Sequence, residues 1–252
     1  MVRKPPIRGF FYRKGRNMLA NLQAGFFNLV GQIISSSEYM GMIWEGLLNT
    51  LLISIGASVI GIVLGTLVAI VKIIPKKNPF MKGLNVICDI YTTVFRGTPM
   101  ALQLFIMSFA IFAIKGFPSE LVAIIAFGIN SGAYMAELIR SGINAVDRGQ
   151  MEAARSLGMS KSQAMWKIIF PQAIKNILPA IGNECIALLK ETSVAGYIAV
   201  SDVTRAAVNI RNSTFDAVNS YFVLALIYLV VVIIMTKLLA ILERSLRKSD
   251  GK

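Results

Sequence analysis

Long apolar runs separated by short polar links dominate the chain. Five of these runs approach the roughly 20 apolar residues that an α-helix needs to cross the hydrocarbon core of a bilayer. We predict membrane-spanning helices at Leu47–Ile74, Leu84–Ile114, Glu120–Ile143, Ile174–Val200 and Val218–Leu242. The pattern therefore predicts an all-α membrane protein with about five transmembrane helices, in a membrane domain that extends over residues 41–243.

Two of the predicted spans carry local features. The first contains small residues spaced four apart, which let another helix approach its backbone closely; they are Ala57, Gly61, Gly65 and Ala69. The second is longer than one crossing requires and is interrupted by Arg96-Gly97-Thr98-Pro99. Proline removes a helical donor and glycine loosens the turn, so we predict a kink or an unwound step there. We interpret Arg96 as a structural residue of this break; contact with a transported molecule is the alternative.

The N-terminal 40 residues differ from the rest of the chain. Residues 1–16 are strongly basic and no small-residue cleavage site follows them, so we do not expect a removed signal peptide. Residues 17–34 are only moderately apolar and are interrupted by Asn21, Gln23, Asn28 and Gln32. This composition fits an interfacial amphipathic helix better than a span. A sixth span is the alternative.

Composition agrees with a membrane protein. Hydrophobic residues make up 55% of the 252 residues and the mean hydropathy is +0.64, above the usual range for a soluble domain. The net charge of +13 lies in the links between apolar runs, so we interpret it as a topology signal rather than a nucleic-acid surface. Cytoplasmic links retain Lys and Arg, which places the links after the first and third spans, and a tail at residues 244–252, in the cytoplasm. An odd number of spans then puts the N-terminus outside, which the basic residues 1–16 oppose.

Several kinds of chemistry are excluded by residue type. The chain has no histidine, so imidazole bases, histidine metal ligands and histidine-based triads are ruled out. A GxxxxGK[ST] phosphate loop is also absent from the sequence, so nucleotide binding of that kind would need a partner chain. Cys88 and Cys185 lie in apolar stretches without a CxxC pattern, and we interpret them as small buried hydrophobic residues.

The link before the fourth span, residues 145–171, predicts two short helices with a hinge. Glu152 suits a first helical turn, and Gly158 suits the left-handed position that follows a helix. Ser160 and Gln163 have the spacing of a capping box for the second helix, and Pro171 is expected to stop or redirect the chain. A short amphipathic helix of this kind can seat in a groove on a cytoplasmic partner.

The same link resembles the EAA signature of permease subunits of ATP-binding-cassette (ABC) importers. Glu152-Ala153-Ala154 is followed after three residues by Gly158, and after nine more by Ile168-Ile169-Phe170-Pro171, with Phe170 where Leu is usual. Two further blocks resemble the polar amino-acid branch of that family. One is Phe95-Arg96-Gly97-Thr98-Pro99, and the other is Gly182-Asn183-Glu184 running on to Leu189-Lys190-Glu191-Thr192-Ser193. The resemblance extends from Trp44 to Leu242.

The resemblance implies a type I ABC importer permease fold and a role in ATP-driven uptake of a polar amino acid across the bacterial cytoplasmic (inner) membrane. It implies three kinds of partner: two cytoplasmic ATPase subunits, an external substrate-binding protein, and a second permease that is identical or a sister chain. ATP and Mg²⁺ would be bound by the ATPase subunits, and this chain would be a transport subunit without enzyme activity or cofactor. The residues that would couple it to the ATPase are Glu152, Ala153, Ala154, Gly158, Ile168 and Pro171.

Polar residues inside the spans are the candidates for a substrate pathway, because an ionisable side chain in hydrocarbon is costly unless it faces a cavity or a partner. The third span presents a polar stripe on one helical face: Asn130, Tyr134, Glu137 and Ser141. A structural pair between Glu137 and Arg140 is the alternative. In the fourth span Glu184 shares a face with Glu191, and Asn183 with Lys190; a network that fixes helix packing is the alternative there.

An ion-coupled secondary transporter is the second functional hypothesis. Such proteins use intramembrane acids for ion coupling and broken helices for the substrate site, and this sequence has both. It has no visible internal duplication, however, and it carries the coupling signature described above. Stimulation of a partner ATPase by loaded binding protein would separate the two hypotheses.

Overall fold

The structure is a computed structural model that describes residues 22–75 and 78–248, with side chains through residue 245. Within these ranges the chain is almost entirely helical and has no β-strand, so the predicted all-α fold is confirmed. Three parts of the sequence analysis lie outside the described residues: the basic stretch 1–16 with the first residues of the segment 17–34, the lysines at 76 and 77, and the end of the tail at residues 249–252.

Ten α-helices follow one another in the described chain. They are α1 (residues 22–35), α2 (Ser37–Ile73), α3 (Pro79–Gly97), α4 (Met100–Ile106), α5 (Ser119–Asn144), α6 (Arg148–Ser156), α7 (Lys161–Ala164), α8 (Phe170–Glu191), α9 (Val203–Thr214) and α10 (Ala217–Lys248). A π-helical turn at Met107–Ile111 continues α4, and another at Met165–Ile169 joins α7 to α8. A 3₁₀ segment at Thr192–Ile198 continues α8.

Helix starts follow local capping chemistry rather than the limits of the apolar runs. The first long helix, α2, begins at Ser37 instead of Leu47 because the Ser36 side chain accepts a hydrogen bond from the Tyr39 N–H. Asn78 caps α3 in the same way, with Pro79 in the first turn, where its missing donor costs nothing. At the other end, α10 continues to Lys248, so most of the predicted tail is the last part of a helix.

The helices α2 and α5 form the most extensive pair in the fold. A side chain added at Gly65 would collide with the Met135 Cβ, and one added at Gly61 would lie 2.9 Å from the Ser131 Oγ. The approach is equally close from the side of α5, since a Cβ added at Gly128 of α5 would lie 2.7 Å from the Ile60 side chain of α2. Small residues on both helices therefore let the two backbones approach, as the spacing in α2 predicted.

Length and composition identify three described helices as able to cross a membrane: Ser37–Ile73, Ser119–Asn144 and Ala217–Ser245. The pair Pro79–Gly97 and Met100–Ile111 qualifies as a fourth, but it bends by 109° at the break. The remaining predicted span, α8, does not meet the same standard. It carries four charged residues, Lys175, Glu184, Lys190 and Glu191, so its crossing stays a prediction.

The first described helix packs against the last two. Leu29 and Ile33 of α1 are buried against Ile210 of α9, and Val223 of α10 packs on the same cluster. These contacts place α1 against α9 and α10. Its interfacial position stays a prediction, with a sixth crossing as the alternative.

Polar contacts attach α3 to the α2–α5 pair. The buried residues of α3 are Asn85, Cys88 and Thr92, none of them a large hydrophobic side chain. The Tyr91 hydroxyl donates a hydrogen bond to the Ile129 carbonyl of α5. Since apolar burial does not drive helices together within lipid, such contacts are what fix the position of α3.

Candidate functional site

The predicted two short helices with a hinge are present in the link before α8. In α6 the Asp147 side chain accepts a hydrogen bond from the Gly149 N–H, and the helix ends at Gly158 with a φ of 84°. The Met159 N–H bonds to the Ala154 carbonyl at 3.1 Å and the Gly158 N–H to the Arg155 carbonyl at 3.0 Å, the pair of bonds that defines a Schellman turn. The left-handed residue between the two helices is therefore the one that the sequence indicated.

The second short helix starts as expected and continues further than expected. Ser160 and Gln163 form the capping box, with bonds of 3.2 and 2.8 Å. The predicted stop at Pro171 is wrong, because Pro171 lies in the first turn of α8, where a proline needs no hydrogen-bond donor. The chain therefore passes from α7 through the π-helical turn directly into α8.

The coupling segment, residues 145–171, buries some predicted residues and exposes others. Ala154 and Ile169 are buried, while Glu152, Ala153, Gly158 and Pro171 are exposed and Ile168 is half-buried. Two large apolar side chains, Leu157 and Trp166, are 82% and 64% exposed on this otherwise polar segment. Exposed apolar groups beside polar ones are typical of a protein-binding surface. Leu157 and Trp166 were not singled out from the sequence, because only the side of the segment that they occupy distinguishes them.

Two amide side chains hold the helix break. The Gln103 Nε2 donates to the Phe95 carbonyl at 2.9 Å and to the Thr98 carbonyl at 3.1 Å, and the Asn130 Nδ2 donates to the Phe95 carbonyl at 3.0 Å. Gln103 and Asn130 thus hold the backbone of the break. The Arg96 guanidinium lies over the Tyr134 ring, 5.4 Å from its centroid.

The polar stripe of α5 divides into parts with different surroundings. Asn130 is buried and bonded within the protein, Tyr134 is half-buried beneath Arg96, and Ser141 is exposed near the end of the helix. The Glu137 carboxylate accepts hydrogen bonds from the Arg140 side chain at 2.7 and 3.1 Å. This is the pair that the sequence analysis kept as the alternative to a pathway position.

Two charged residues that the sequence analysis did not place in the site complete this cluster. The Lys72 ammonium lies 2.8 Å from the Glu137 carboxylate and 3.1 Å from the Asp89 carboxylate, and it donates to the Thr92 hydroxyl at 3.1 Å. The signal that could have found Lys72 is its position in the last turn of an apolar helix, within reach of acids on neighbouring helices.

Charged residues of α8 gather beside the helix break. Lys190 and Glu191 line an open cavity of about 530 Å³ together with Met100, the first residue after the break. Glu184 is half-buried and interacts electrostatically with Glu191 and with Arg96 of α3. Asn183 is exposed, and its amide donates to the Pro179 carbonyl of its own helix at 3.0 Å. Glu184 thus interacts with Glu191 of its own helix and with Arg96 of α3, whereas Glu137 belongs to a separate cluster with Lys72 and Arg140.

A further buried acid lies in the link between α8 and α9. Asp202 is fully buried; its Oδ1 accepts a hydrogen bond from the Arg205 N–H at 2.8 Å, and its Oδ2 has no hydrogen-bond partner among the described residues. Burial raises the pKa of this carboxyl above its ordinary value. Nothing in the sequence pattern singles out Asp202, since a lone Asp before a helix is usually an exposed cap.

The described residues contain no group of three or more His, Cys, Asp or Glu side chains able to hold a metal ion. Cys88 is buried and Cys185 half-buried, and both are free thiols. The described residues thus present Lys190 and Glu191 at a cavity at the end of α8, and exposed apolar side chains, Leu157 and Trp166, on the segment that precedes α8.

Comparison with known proteins decides the family. Residues 61–248 match the family described as the binding-protein-dependent transport system inner membrane component. The chain belongs to this family. The predicted membership among ABC importer permeases is confirmed, and with it the chain is a transport permease subunit.

Relatives of this permease extend over nearly its whole membrane domain. It is 41% identical over 210 residues to the arginine transport system permease protein ArtQ of Bacillus subtilis (strain 168), which covers 82% of this chain and 94% of that protein. A crystal structure of an amino acid ABC transporter with histidines matches at 40% identity and a TM-score of 0.77, over 84% of this chain and 98% of that one. Inward-facing structures of the MetNI methionine ABC transporter match with a TM-score of 0.70 over 84% of this chain and 99% of that one; at 16% identity they support the fold alone.

Proposed function

We propose that this permease carries a polar amino acid, with arginine as the first candidate, delivered by an external binding protein and moved at the expense of ATP. The proposal is supported by the 41% identity to an arginine permease and by the 40% identity to an amino acid transporter. The observation that carries it is the cavity lined by both Lys190 and Glu191. A free amino acid presents a carboxylate and an ammonium group, so a cavity with one cation and one anion complements it.

The substrate pathway is proposed to follow the charges beyond this cavity. Glu184, Glu191 and Asn183 on α8 line one side, and Arg96 and Tyr134 face them from α3 and α5. In a low-dielectric cavity these charges would act on a substrate more strongly than in water. Asn130 and Glu137 are less suited to contact a substrate, because their polar groups already bond to protein atoms.

The coupling segment is proposed to dock on a cytoplasmic ATPase. Glu152, Ala153 and Gly158 lie on its exposed side, and Leu157 and Trp166 supply apolar groups that a groove on the partner would bury. Ala154 and Ile168 would support this surface from within the segment, and the exposed Pro171 would lie at its end. ATP and Mg²⁺ would bind to the ATPase subunits, whose closure would move the segment as a rigid body and rock the helices between outward-open and inward-open states.

The complete importer is proposed to contain two such ATPases, an external binding protein, and a second permease that is a copy of this chain or a sister subunit. Its location would be the bacterial cytoplasmic membrane. A pull-down in mild detergent with mass identification of the captured chains tests this composition. Recovery of the permease without an ATPase chain would contradict it.

Uptake measurements test the substrate assignment. Cells that express the importer take up labelled arginine, histidine and glutamine, and we expect Lys190→Gln and Glu191→Gln each to raise the KM for the preferred substrate about tenfold. Lys115→Gln, in an exposed link, is the matched control and should leave the KM unchanged. Equal KM values in all three variants would remove Lys190 and Glu191 from the site.

The energy source is tested separately. With purified permease, ATPase and binding protein in liposomes, loaded binding protein should stimulate ATP hydrolysis, and a proton ionophore should leave uptake intact. Uptake that continues without ATP and collapses with the ionophore would favour the ion-coupled secondary transporter.

A further inference from the structure

The break between α3 and α4 releases backbone carbonyls inside the membrane domain. Pro99 has no N–H to donate, and the 109° bend carries α4 away from the carbonyls at the end of α3. Unpaired carbonyl groups are costly in a bilayer core, since no water is present to satisfy them. The bend therefore requires donors from elsewhere in the protein.

Gln103 and Asn130 supply these donors in a connected arrangement. Both are buried, with exposed fractions of 8% and 3%. The Gln103 amide also donates to the Thr98 hydroxyl at 2.7 Å, and its own oxygen accepts from the Asn130 amide at 2.9 Å. Because the Phe95 carbonyl can only accept, it fixes the orientation of both amide groups. The two residues thus form a clamp, hereafter the amide clamp, that joins α3, α4 and α5.

The clamp lies next to the Arg96 side chain. Phe95, whose carbonyl accepts both bonds, directly precedes Arg96. Asn130 is one helical turn before Tyr134, the residue whose ring lies under the Arg96 guanidinium. One face of α5 therefore fixes the backbone of the break and also supports the side chain that the break presents.

We propose that Gln103 and Asn130 are positioning residues for transport: they hold the broken helix so that the Arg96 guanidinium lies over the Tyr134 ring beside the substrate pathway. The pathway role of Arg96 rests on the proposed function, whereas the clamp itself rests on the hydrogen bonds described above. Losing either amide would let the last turn of α3 rotate and move the guanidinium off Tyr134. Substrate affinity would weaken while the turnover rate of bound substrate changes little.

A double-mutant cycle tests the link to Arg96. In the intact importer, Asn130→Asp replaces the donor by an acceptor of the same shape, and Gln103→Met keeps the length without the amide. We expect each to raise the KM for arginine about tenfold at normal membrane abundance, as Arg96→Met does, and to add no further increase in the Arg96→Met background. Asn28→Asp, the same exchange at an exposed position of α1, is the control and should change nothing. Effects that multiply in the double variants, or a loss of abundance alone in both clamp variants, would overturn the proposal.

A second measurement does not depend on transport. Arg96→Cys and Tyr134→Cys, introduced together with the native thiols removed, should be linked efficiently by a short bifunctional thiol reagent. Adding Asn130→Asp or Gln103→Met should lower this yield at least several-fold. An unchanged yield would overturn the clamp and leave the proposed function untouched. A lowered yield together with normal uptake by Arg96→Met would instead remove Arg96 from the pathway and leave the clamp intact.

Discussion

Lys72 on α2 and Glu137 on α5 form an ion pair in which the Nζ and Oε1 atoms are 2.8 Å apart. The same ammonium group pairs with Asp89 of α3, so one cation forms ion pairs with carboxylates on two other helices. Its side chain is only 11% exposed, whereas that of Asp89 is 53% exposed. The pair therefore links the α2–α5 core to the helix that leads into the break.

Replacing Lys72 with methionine should destabilise the permease by about 2 kcal/mol, because the Glu137 carboxylate would lose one of its two cations in a partly buried site. Thermal unfolding in detergent measures the loss. Glu137→Gln in the same background should recover part of it, since the uncompensated charge is then removed. Lys82→Met, at an exposed position of α3, is the control. An equal effect of both lysine variants would contradict a specific role for Lys72.

Gly158 should tolerate asparagine and reject valine. Its φ of 84° is accessible to glycine, and Asn adopts this region more readily than a β-branched residue does. No atom lies within 4 Å of a Cβ added there, so any effect must come from the backbone. We expect Gly158→Val to lower uptake several-fold at normal abundance, with Gly158→Asn close to the unchanged protein.

A measurement of ATPase binding can contradict the coupling assignment. If an ATPase chain is captured equally well after the coupling segment is replaced by a flexible Gly-Ser linker, this segment is not the docking site. Normal uptake by Gly158→Val would likewise show that the left-handed turn is dispensable.

Gly65→Ala should destabilise the helix pair by about 1–3 kcal/mol, because the added methyl group meets the Met135 side chain of α5. Gly83→Ala is a matched exchange on α3, where no atom lies within 4 Å of the new Cβ. It should be neutral or stabilise the helix by about 0.5–1 kcal/mol. Unfolding measurements on both variants check the difference, and similar midpoints for the two would argue against close backbone approach at Gly65.

Cysteine labelling tests the sidedness of the helices. With Cys88 and Cys185 replaced, a cysteine at Ser160 should react only from the cytoplasm, and cysteines at Lys115 and Gln23 only from outside. Gln23 is included because α1 packs against α9 and the start of α10, which follow α8 on the outer side if α8 crosses. Labelling of Gln23→Cys from the cytoplasm would establish a sixth crossing and exclude the interfacial helix.

The buried Asp202 carboxyl predicts that the folded state becomes less stable as the pH rises. Because burial raises its folded-state pKa above the ordinary value of 3.8, the folded state holds the proton more tightly than the unfolded state. The stabilisation that Asp202 contributes is fully present at pH values below its ordinary pKa. It declines as the pH rises through the raised pKa.

The variant Asp202→Asn keeps a capping oxygen for the Arg205 N–H and lacks the charge. It should be more stable than the unchanged protein at neutral pH, and its stability should no longer show the decline with pH that Asp202 causes. Asp147→Asn exchanges the same groups at an exposed cap and controls for the substitution. Thermal midpoints measured from acid to neutral pH decide between the outcomes.

The sequence predicted best those features that local chemistry determines. The turn at Gly158 and the capping box at Ser160 depend on residues a few positions apart, and both form as expected. The spacing also predicted Arg140 as a partner of Glu137 on its own helix. Lys72 could not be paired with it, because 65 residues separate them and only the packing of α2 on α5 brings them together. The bonds of Asn130 could not be predicted for the same reason, because its amide faces a break in another helix.

The polar attachment of α3 has a consequence for comparing variants of this permease. A helix held by apolar packing loosens when a large side chain is shortened, and a hydropathy scale registers the change. An exchange of Thr92 for alanine alters hydropathy little, yet it removes the hydrogen bond that Lys72 of α2 donates to α3. Natural or engineered substitutions that look conservative at such polar positions are therefore the ones expected to detach the whole helix. Changes among the exposed valines and isoleucines of α3 should have little effect on its packing.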